Sequence, residues 1–187
     1  MEQSMRLVKG RPLDVTGRQE REIRVYDLLD RLGIEYERVD HAPADNMEAC
    51  LAVDKVLQPA VICKNLFLCN RQQTAFYLLM IREDKKFLTK EISGQIGSAR
   101  LSFAGPEAME RMLDILPGSV SVMGLMNDKA GQVRLLVDED VLKEPWVGCH
   151  PCVNTSSLRL RTQDVFQTFL EAVGHDYTVV RLTDGNG

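Results

Sequence analysis

Lys64 stands in the middle of an otherwise apolar run, Val61-Ile62-Cys63-Lys64-Asn65-Leu66-Phe67-Leu68. The run reads as a strand, and strand side chains alternate between faces. Ile62, Lys64, Leu66 and Leu68 share one face; Val61, Cys63, Asn65 and Phe67 share the other. An unpaired ammonium is too costly to bury, so such a lysine finds a partner, loses its proton or opens into a cleft. Two uses remain open. A lysine on an edge strand snorkels to water. A cleft lysine on a rigid strand holds a phosphate or an ester as a point charge.

A second cluster is Trp146-Val147-Gly148-Cys149-His150-Pro151-Cys152, followed by Asn154. Cys149 and Cys152 have the spacing of redox and zinc motifs. A thioredoxin-like use wants that spacing at a helix start, and Pro151, Val153 and the Ser/Thr run do not supply one. A zinc site wants about four ligands, and neither a second C-x-x-C nor a His pair lies nearby. Two small residues packed under a loop is the plainer reading. His150 is a general base, an orienting donor or a turn histidine. His41, beside Pro43, and His175, after a helix stop, read as structural or solvated.

The third stretch is Pro117-Gly118-Ser119-Val120-Ser121-Val122-Met123-Gly124. No Walker loop, no G-x-G-x-x-G and no G-x-S-x-G elbow occurs, so Ser119 and Ser121 have no recognisable triad behind them. Their backbone amides can instead line a pocket and hold an oxygen. Lys64-Asn65, the Gly118 loop and Gly148-x-His150-Pro151 with Asn154 lie far apart in sequence. Loops set on a rigid strand are a common way to build a pocket.

The elements that must position them alternate between helix and strand. An apolar stripe (Ile23, Leu28, Leu29, Leu32) predicts a helix from about Gly17 to Leu32, with Thr16 as its cap and Gly33 as its stop. Residues 34–39 alternate as a half-buried strand. Asp45 or Asn46 caps a short helix through Val53. Residues 61–68 and 75–81 form a hairpin around Asn70-Arg71-Gln72-Gln73, and the wholly apolar second strand should be central. Thr89 caps a short helix, residues 100–104 form a strand, and Pro106 opens a helix with Met109, Met112 and Leu113 inward. Residues 132–137 form a strand and residues 138–140 an acidic turn. Residues 157–161 form a strand, Thr162 caps a helix to Val173, and residues 177–182 form a last strand. This intermixing predicts a mixed-sheet α/β domain over residues 17–187 rather than a regular doubly wound one. Residues 1–16 read as an N-terminal arm.

Composition narrows the function classes. The chain has 187 residues, enough for one domain with a proper core. Its formal net charge of −4 excludes a broad basic surface, so contact with a nucleic acid should be local, as with one RNA end. Five cysteines, an odd number, argue against a secreted disulfide framework. No apolar stretch is long enough to span a bilayer, and the first residues lack a signal peptide's apolar core. The expected location is the cytoplasm, with no membrane partner.

Four pieces in order, Lys64-Asn65-Leu66-Phe67-Leu68, Leu101-Ser102-Phe103, Pro117-Gly118-Ser119-Val120-Ser121 and Gly148-Cys149-His150-Pro151-x-x-Asn154-Thr155, resemble the freestanding prolyl-tRNA editing proteins. These are relatives of the editing insertion of bacterial prolyl-tRNA synthetase and of the YbaK family. The resemblance implies an α/β domain on a mixed, barrel-like sheet flanked by helices. It implies hydrolysis of the ester between a wrong amino acid and the terminal adenosine of tRNA, with no cofactor and no metal. It implies aminoacyl-tRNA as partner through its acceptor end, with prolyl-tRNA synthetase as a second candidate partner. For the branch with a K-N pair and G-x-H-P, it implies alanine on proline tRNA; cysteine on proline tRNA belongs to the neighbouring branch. On this resemblance Lys64, Asn65 and His150 are catalytic: Lys64 holds the terminal nucleotide or polarises the ester, and Asn65 is its neighbour. Gly148, His150, Pro151 and Asn154 shape the pocket, and Gly118, Ser119, Val120 and Ser121 lie near the substrate carbonyl. The chain departs from the family's G-S-V-S-P by placing Val122 where the proline falls, which predicts a looser loop. Two alternatives stand beside this: an inactive tRNA-end or nucleotide-binding module of the same fold, and a Cys149/Cys152 redox or zinc protein.

Overall fold

A computed structural model describes residues 5–184; the ends of the chain, residues 1–4 of the expected arm and 185–187, lie outside the described residues. The arm is tied into the sheet: β1 (Val8–Lys9) pairs antiparallel with β2 (Tyr36–Asp40), and Arg11 bonds Asp27 at 2.7 Å. Helix α1 spans Glu20–Arg31. Its cap is Gln19, not Thr16, whose amide donates to Asp14 in a preceding turn. The helix ends as expected at Gly33, at φ 68°, where the left-handed backbone favours glycine. Asn46 caps α2 (Met47–Leu57) by accepting from the Ala49 amide at 2.9 Å.

The central hairpin is β3 (Val61–Asn70) and β4 (Phe76–Arg82). Then come α3 (Thr89–Ile96), β5 (Leu101–Phe103) and α4 (Pro106–Leu113). Leu88, not Thr89, stands at the α3 cap position; the Thr89 hydroxyl donates instead to the Leu101 carbonyl. A 3-10 turn over Val122–Asn127 leads to β6 (Val133–Asp138), and the expected acidic turn folds as a short helix, α5 (Glu139–Leu142). The chain continues through β7 (Trp146–Cys149) and β8 (Ser156–Arg161). A π-helical stretch, Asp164–Phe169, runs into α6 (Leu170–Ala172), before β9 (Tyr177–Val180). Thr162 does not cap that helix: its hydroxyl is buried without a partner.

The nine described strands form one mixed sheet in the order β1-β2-β8-β7-β3-β4-β6-β9, with β5 paired to β3 off that path. Strand β3 is the hinge of the arrangement. Val61 and Ile62 pair in parallel with Val147 and Gly148, whereas Cys63 to Cys69 pair antiparallel with β4. Strands β4, β6 and β9 continue in parallel. Apolar layers cover both faces of the hairpin. Leu78 and Met80 belong to the larger core with Phe67, and Leu79 and Ile81 belong to a second core with Leu68. That explains why β4 carries no alternation of polar residues: both its faces are buried.

Candidate active site

A cavity of about 310 Å³ opens where β3 passes from β7 to β4. Asn65, Gly118, Val120, Gly148, His150 and Asn154 all line it, so three stretches separated widely in sequence meet at one place. Lys64, Ser119, Ser121 and Pro151 do not line it. Strand alternation alone does not explain the first of these, because Ile62, Cys63 and Asn65 all line the cavity where β3 changes partners. Lys64 is instead tied elsewhere: its Nζ donates to the Lys85 carbonyl at 2.7 Å. That carbonyl is held firmly, because buried Lys85 pairs with Asp138 at 2.8 Å and Asp140 at 2.6 Å.

Ser121 acts below the cavity rather than in it. Its hydroxyl donates to the His150 carbonyl at 2.6 Å and accepts from the Met123 amide at 3.1 Å. It therefore caps the 3-10 turn and ties the Gly118 loop to the His150 segment. Val122, the first residue of that turn, is fully buried. Core packing and the Ser121 cap thus hold the loop where a proline ring would otherwise restrict it. Ser119 and Asn154 share a smaller hollow of about 110 Å³.

Two glycines are required by geometry. Gly118 sits at φ +88°, which turns the loop toward the cavity in a conformation side chains resist. Gly148 lies under Ile62: a Cβ there would come within 2.4 Å of Ile62 Cδ1.

His150 Nδ1 lies 2.9 Å from the Ser156 carbonyl, so that nitrogen carries the proton and donates. Nε2 is then the lone-pair nitrogen. Burial lowers the His150 pKa below the ordinary histidine value; His41 adds to this, and the Ser156 bond opposes it. The ring is neutral at pH 7. His41, read from sequence as structural or solvated, also lines the cavity. Its Nε2 lies 2.9 Å from Ser157 Oγ, and its ring centroid is 6.3 Å from that of His150. Pro43 beside it gave no hint of this, because Ser157 is 116 residues away.

The opposite wall is acidic. Asp45, Asp54 and Glu83 line the cavity, and among the described residues no lysine or arginine does. Burial and the adjacent Glu83 carboxylate push the Asp54 carboxyl up to about 7. Asn65 donates from Nδ2 to the Cys63 carbonyl at 3.2 Å, leaving a buried Oδ1 with no partner. This arrangement suits a cationic, hydrogen-bond-donating ligand and disfavours a phosphate. Nothing in the sequence pattern marked Asp54 or Glu83, which sit on a helix face and just after a strand.

Cys149 lines the cavity, but the two-cysteine motif offers no reactive thiolate. Cys149 and Cys152 are buried, and burial pushes the Cys149 thiol up to about 12 and the Cys152 thiol higher still. A protonated thiol is a poor nucleophile and a poor ligand. No group of three or more metal-ligating side chains occurs among the described residues. His175 bonds the Asp128 carbonyl at 3.2 Å, away from the cavity.

Comparison with known proteins bears on the family and the fold. A family model described as an aminoacyl-tRNA editing domain matches residues 41–168. The Prolyl-tRNA editing protein ProX of Acetoanaerobium sticklandii is 29% identical over 154 residues, covering 82% of this chain and 93% of that protein. The Putative prolyl-tRNA synthetase associated domain-containing protein 1 of Homo sapiens is 30% identical over 158 residues, covering 82% and 92%. A solved structure of a putative trans-editing enzyme for prolyl tRNA synthetase superposes with a TM-score of 0.66 over 89% of this chain and 99% of that one. At 18% identity, that likeness speaks for the fold.

Proposed function

Because the chain belongs to the aminoacyl-tRNA editing domain family, we propose that it edits prolyl-tRNA in trans and that its substrate is alanine mischarged on proline tRNA. As a family member it is an aminoacyl-tRNA deacylase. The observation that carries the finer reading is the small acid-walled cavity that gathers Asn65, His150 and the Gly118 loop. An aminoacyl ester brings an α-ammonium and a carbonyl into one site. Asp54 and Glu83 would receive the ammonium. The backbone amides of Gly118 and Val120 would face the carbonyl oxygen and stabilise the oxyanion, while the Ser119 amide donates to the Leu116 carbonyl at 3.1 Å.

Water attacks the ester carbon. The new C–O bond forms as the bond to the ribose oxygen breaks, and the ribose oxygen takes up a proton. Neutral His150, with Nε2 free, would accept the proton of the attacking water or orient it. Lys64 would leave the Lys85 carbonyl and meet the terminal phosphate or ribose as a point charge. Gly148 and Ile62, which line the cavity, would set the room left for the amino-acid side chain, and a larger side chain is excluded by overlap. We read residues 17–187 as the editing unit, the cytoplasm as its compartment and prolyl-tRNA synthetase as a partner.

The test is release of alanine, cysteine and proline from the corresponding charged proline tRNAs, by wild type and Lys64→Ala. Selective alanine release, lost in the variant, supports the reading. Preference for cysteine leaves the deacylase and overturns the alanine assignment. No cleavage of any of the three esters favours a binding module of the same fold.

A further inference from the structure

Leu101-Ser102-Phe103 has so far been given no function, and Phe103 is 64% exposed. It lies on β5, which pairs with β3 and with no other described strand. Its ring packs edge-on against Phe87 at 5.7 Å between centroids. Leu88 beside it is 46% exposed. An aromatic edge left open in this way is a stacking surface rather than core.

Three cations flank the pair. Lys86 precedes Phe87, and the Thr89 hydroxyl joins the start of α3 to Leu101, so that Lys90 and Arg100 flank this junction. All three are exposed, and none forms an ion pair among the described residues. Of the acids near them in sequence, Asp84 pairs with Arg82 at 3.1 Å and Glu91 accepts from the Thr183 hydroxyl at 2.7 Å. In a chain of net charge −4, a cationic aromatic strip needs an anionic, planar partner to complement it.

The strip is joined to the cavity wall through two chain segments rather than lining it. The segment after β4 begins at Glu83 in the cavity wall, passes Lys85, which holds Lys64, and reaches Phe87. Along β3, Lys64 and Leu68 lie on one face, and Leu68 pairs with Phe103. Four residues of strand span roughly 13 Å, a distance that an unpaired RNA end crosses in a few nucleotides.

We propose that the Phe87–Phe103 edge, with Lys86, Lys90 and Arg100, is the docking strip for the unpaired 3′ end of the tRNA, a base stacking on Phe103 while the acylated nucleotide enters the cavity. This rests on the deacylase reading of that cavity. Phe103 supplies the π-face, the cations meet the backbone phosphates, and the acidic cavity is left to the aminoacyl group.

The probe is an uncharged RNA hairpin with a four-nucleotide unpaired 3′ end, compared with the same hairpin made blunt, read by fluorescence anisotropy. Wild type binds the tailed hairpin more tightly. Phe103→Ala weakens that binding roughly five- to tenfold, as loss of one base stack does. Phe103→Trp retains it, and Lys90→Glu with Arg100→Glu weakens it with a shallower salt dependence. Thermal melting of Phe103→Ala matches wild type, since the ring is largely exposed. Equal affinity of wild type for the two hairpins, or equal affinity of wild type and Phe103→Ala for the tailed one, overturns the proposal. So does a Phe103→Ala variant that keeps RNA affinity but no longer co-elutes with prolyl-tRNA synthetase, which would assign the edge to a protein. Tail binding with no ester cleavage would leave the strip standing and remove the deacylase reading.

Discussion

Gly148→Ala should narrow the cavity without unfolding the protein. The added Cβ would sit 2.4 Å from Ile62 Cδ1, against ordinary contact at 3.4–4 Å, so the Ile62 terminus must retreat by about 1 Å or more. Leu57 Cδ1 at 3.5 Å and the Leu158 carbonyl at 3.6 Å are already in contact range and need not move. Ile62 lines the cavity, so its free direction is into the space meant for the substrate. Overpacking costs about 1–3 kcal/mol, and a flexible side-chain end with open space beside it belongs at the low end, about 1 kcal/mol. For a chain of this size that lowers Tm by about 2–4 °C. A displacement of about 1 Å at a reacting centre can cost roughly 10²-fold in rate. Alanine release from Ala-tRNA(Pro) should therefore fall by about 10–100-fold in kcat/KM, and release of any larger amino acid should fall further. Adding Ile62→Val removes Cδ1 and should restore most of the alanine activity, a coupling that a double-mutant cycle reads directly. Wild-type kcat/KM for every amino acid in Gly148→Ala, or no rescue by Ile62→Val, would refute the reasoning.

Other expectations follow from the cavity walls. Burial holds the His150 pKa below its ordinary value of 6.5, so the acid limb of kcat/KM should fall below pH 6.5 and disappear in His150→Gln; a limb above that value contradicts a buried neutral base. Asp54→Asn should raise KM roughly tenfold, as loss of a charged hydrogen bond does. The Asp54 carboxyl is pushed up to about 7 from an ordinary value of 3.8, so its cost to the fold is absent below pH 4, grows between pH 4 and 7 and levels off above. The Tm advantage of Asp54→Asn should therefore widen from pH 4 to 8, and a constant difference would rule the shift out. Ser121→Ala removes the turn cap and the bond to the His150 carbonyl, and should cost about 1–2 kcal/mol in denaturant melts. Lys64→Ala loses one bond to a carbonyl, about 1 kcal/mol, so a large drop in activity with near-native Tm would separate substrate binding from stability.

Much of the fold was legible because it depends on local pattern. The unbroken apolar run of β4 signalled burial on both faces, and Leu78 and Leu79 do sit in separate cores. Asn46 caps α2 and Gly33 ends α1 through bonds made within a few residues. Capping hydroxyls were less legible: Thr16, Thr89 and Thr162 each stand near a helix start, and none caps it. At the site, Asn65, Gly118, Gly148 and His150 were visible as a motif set, and the fold brings them together. The acidic wall was not visible, because Asp54 and Glu83 acquire their meaning only from being close across α2 and the end of β4. His41 depends in the same way on Ser157. The motif grouped Lys64 with Asn65, yet the fold places only Asn65 in the cavity wall and ties Lys64 to the Lys85 carbonyl, 21 residues on.

The central claim is that the acid-walled cavity receives the aminoacyl end. A crystal structure with a hydrolysis-resistant 3′-alanylamino adenosine tests it most directly. The account predicts the α-ammonium between Asp54 and Glu83, the carbonyl oxygen toward the Gly118 and Val120 amides, and His150 Nε2 on the water side. An alanyl group bound outside this cavity, or inside it with the ammonium turned toward Gly118, would contradict the account.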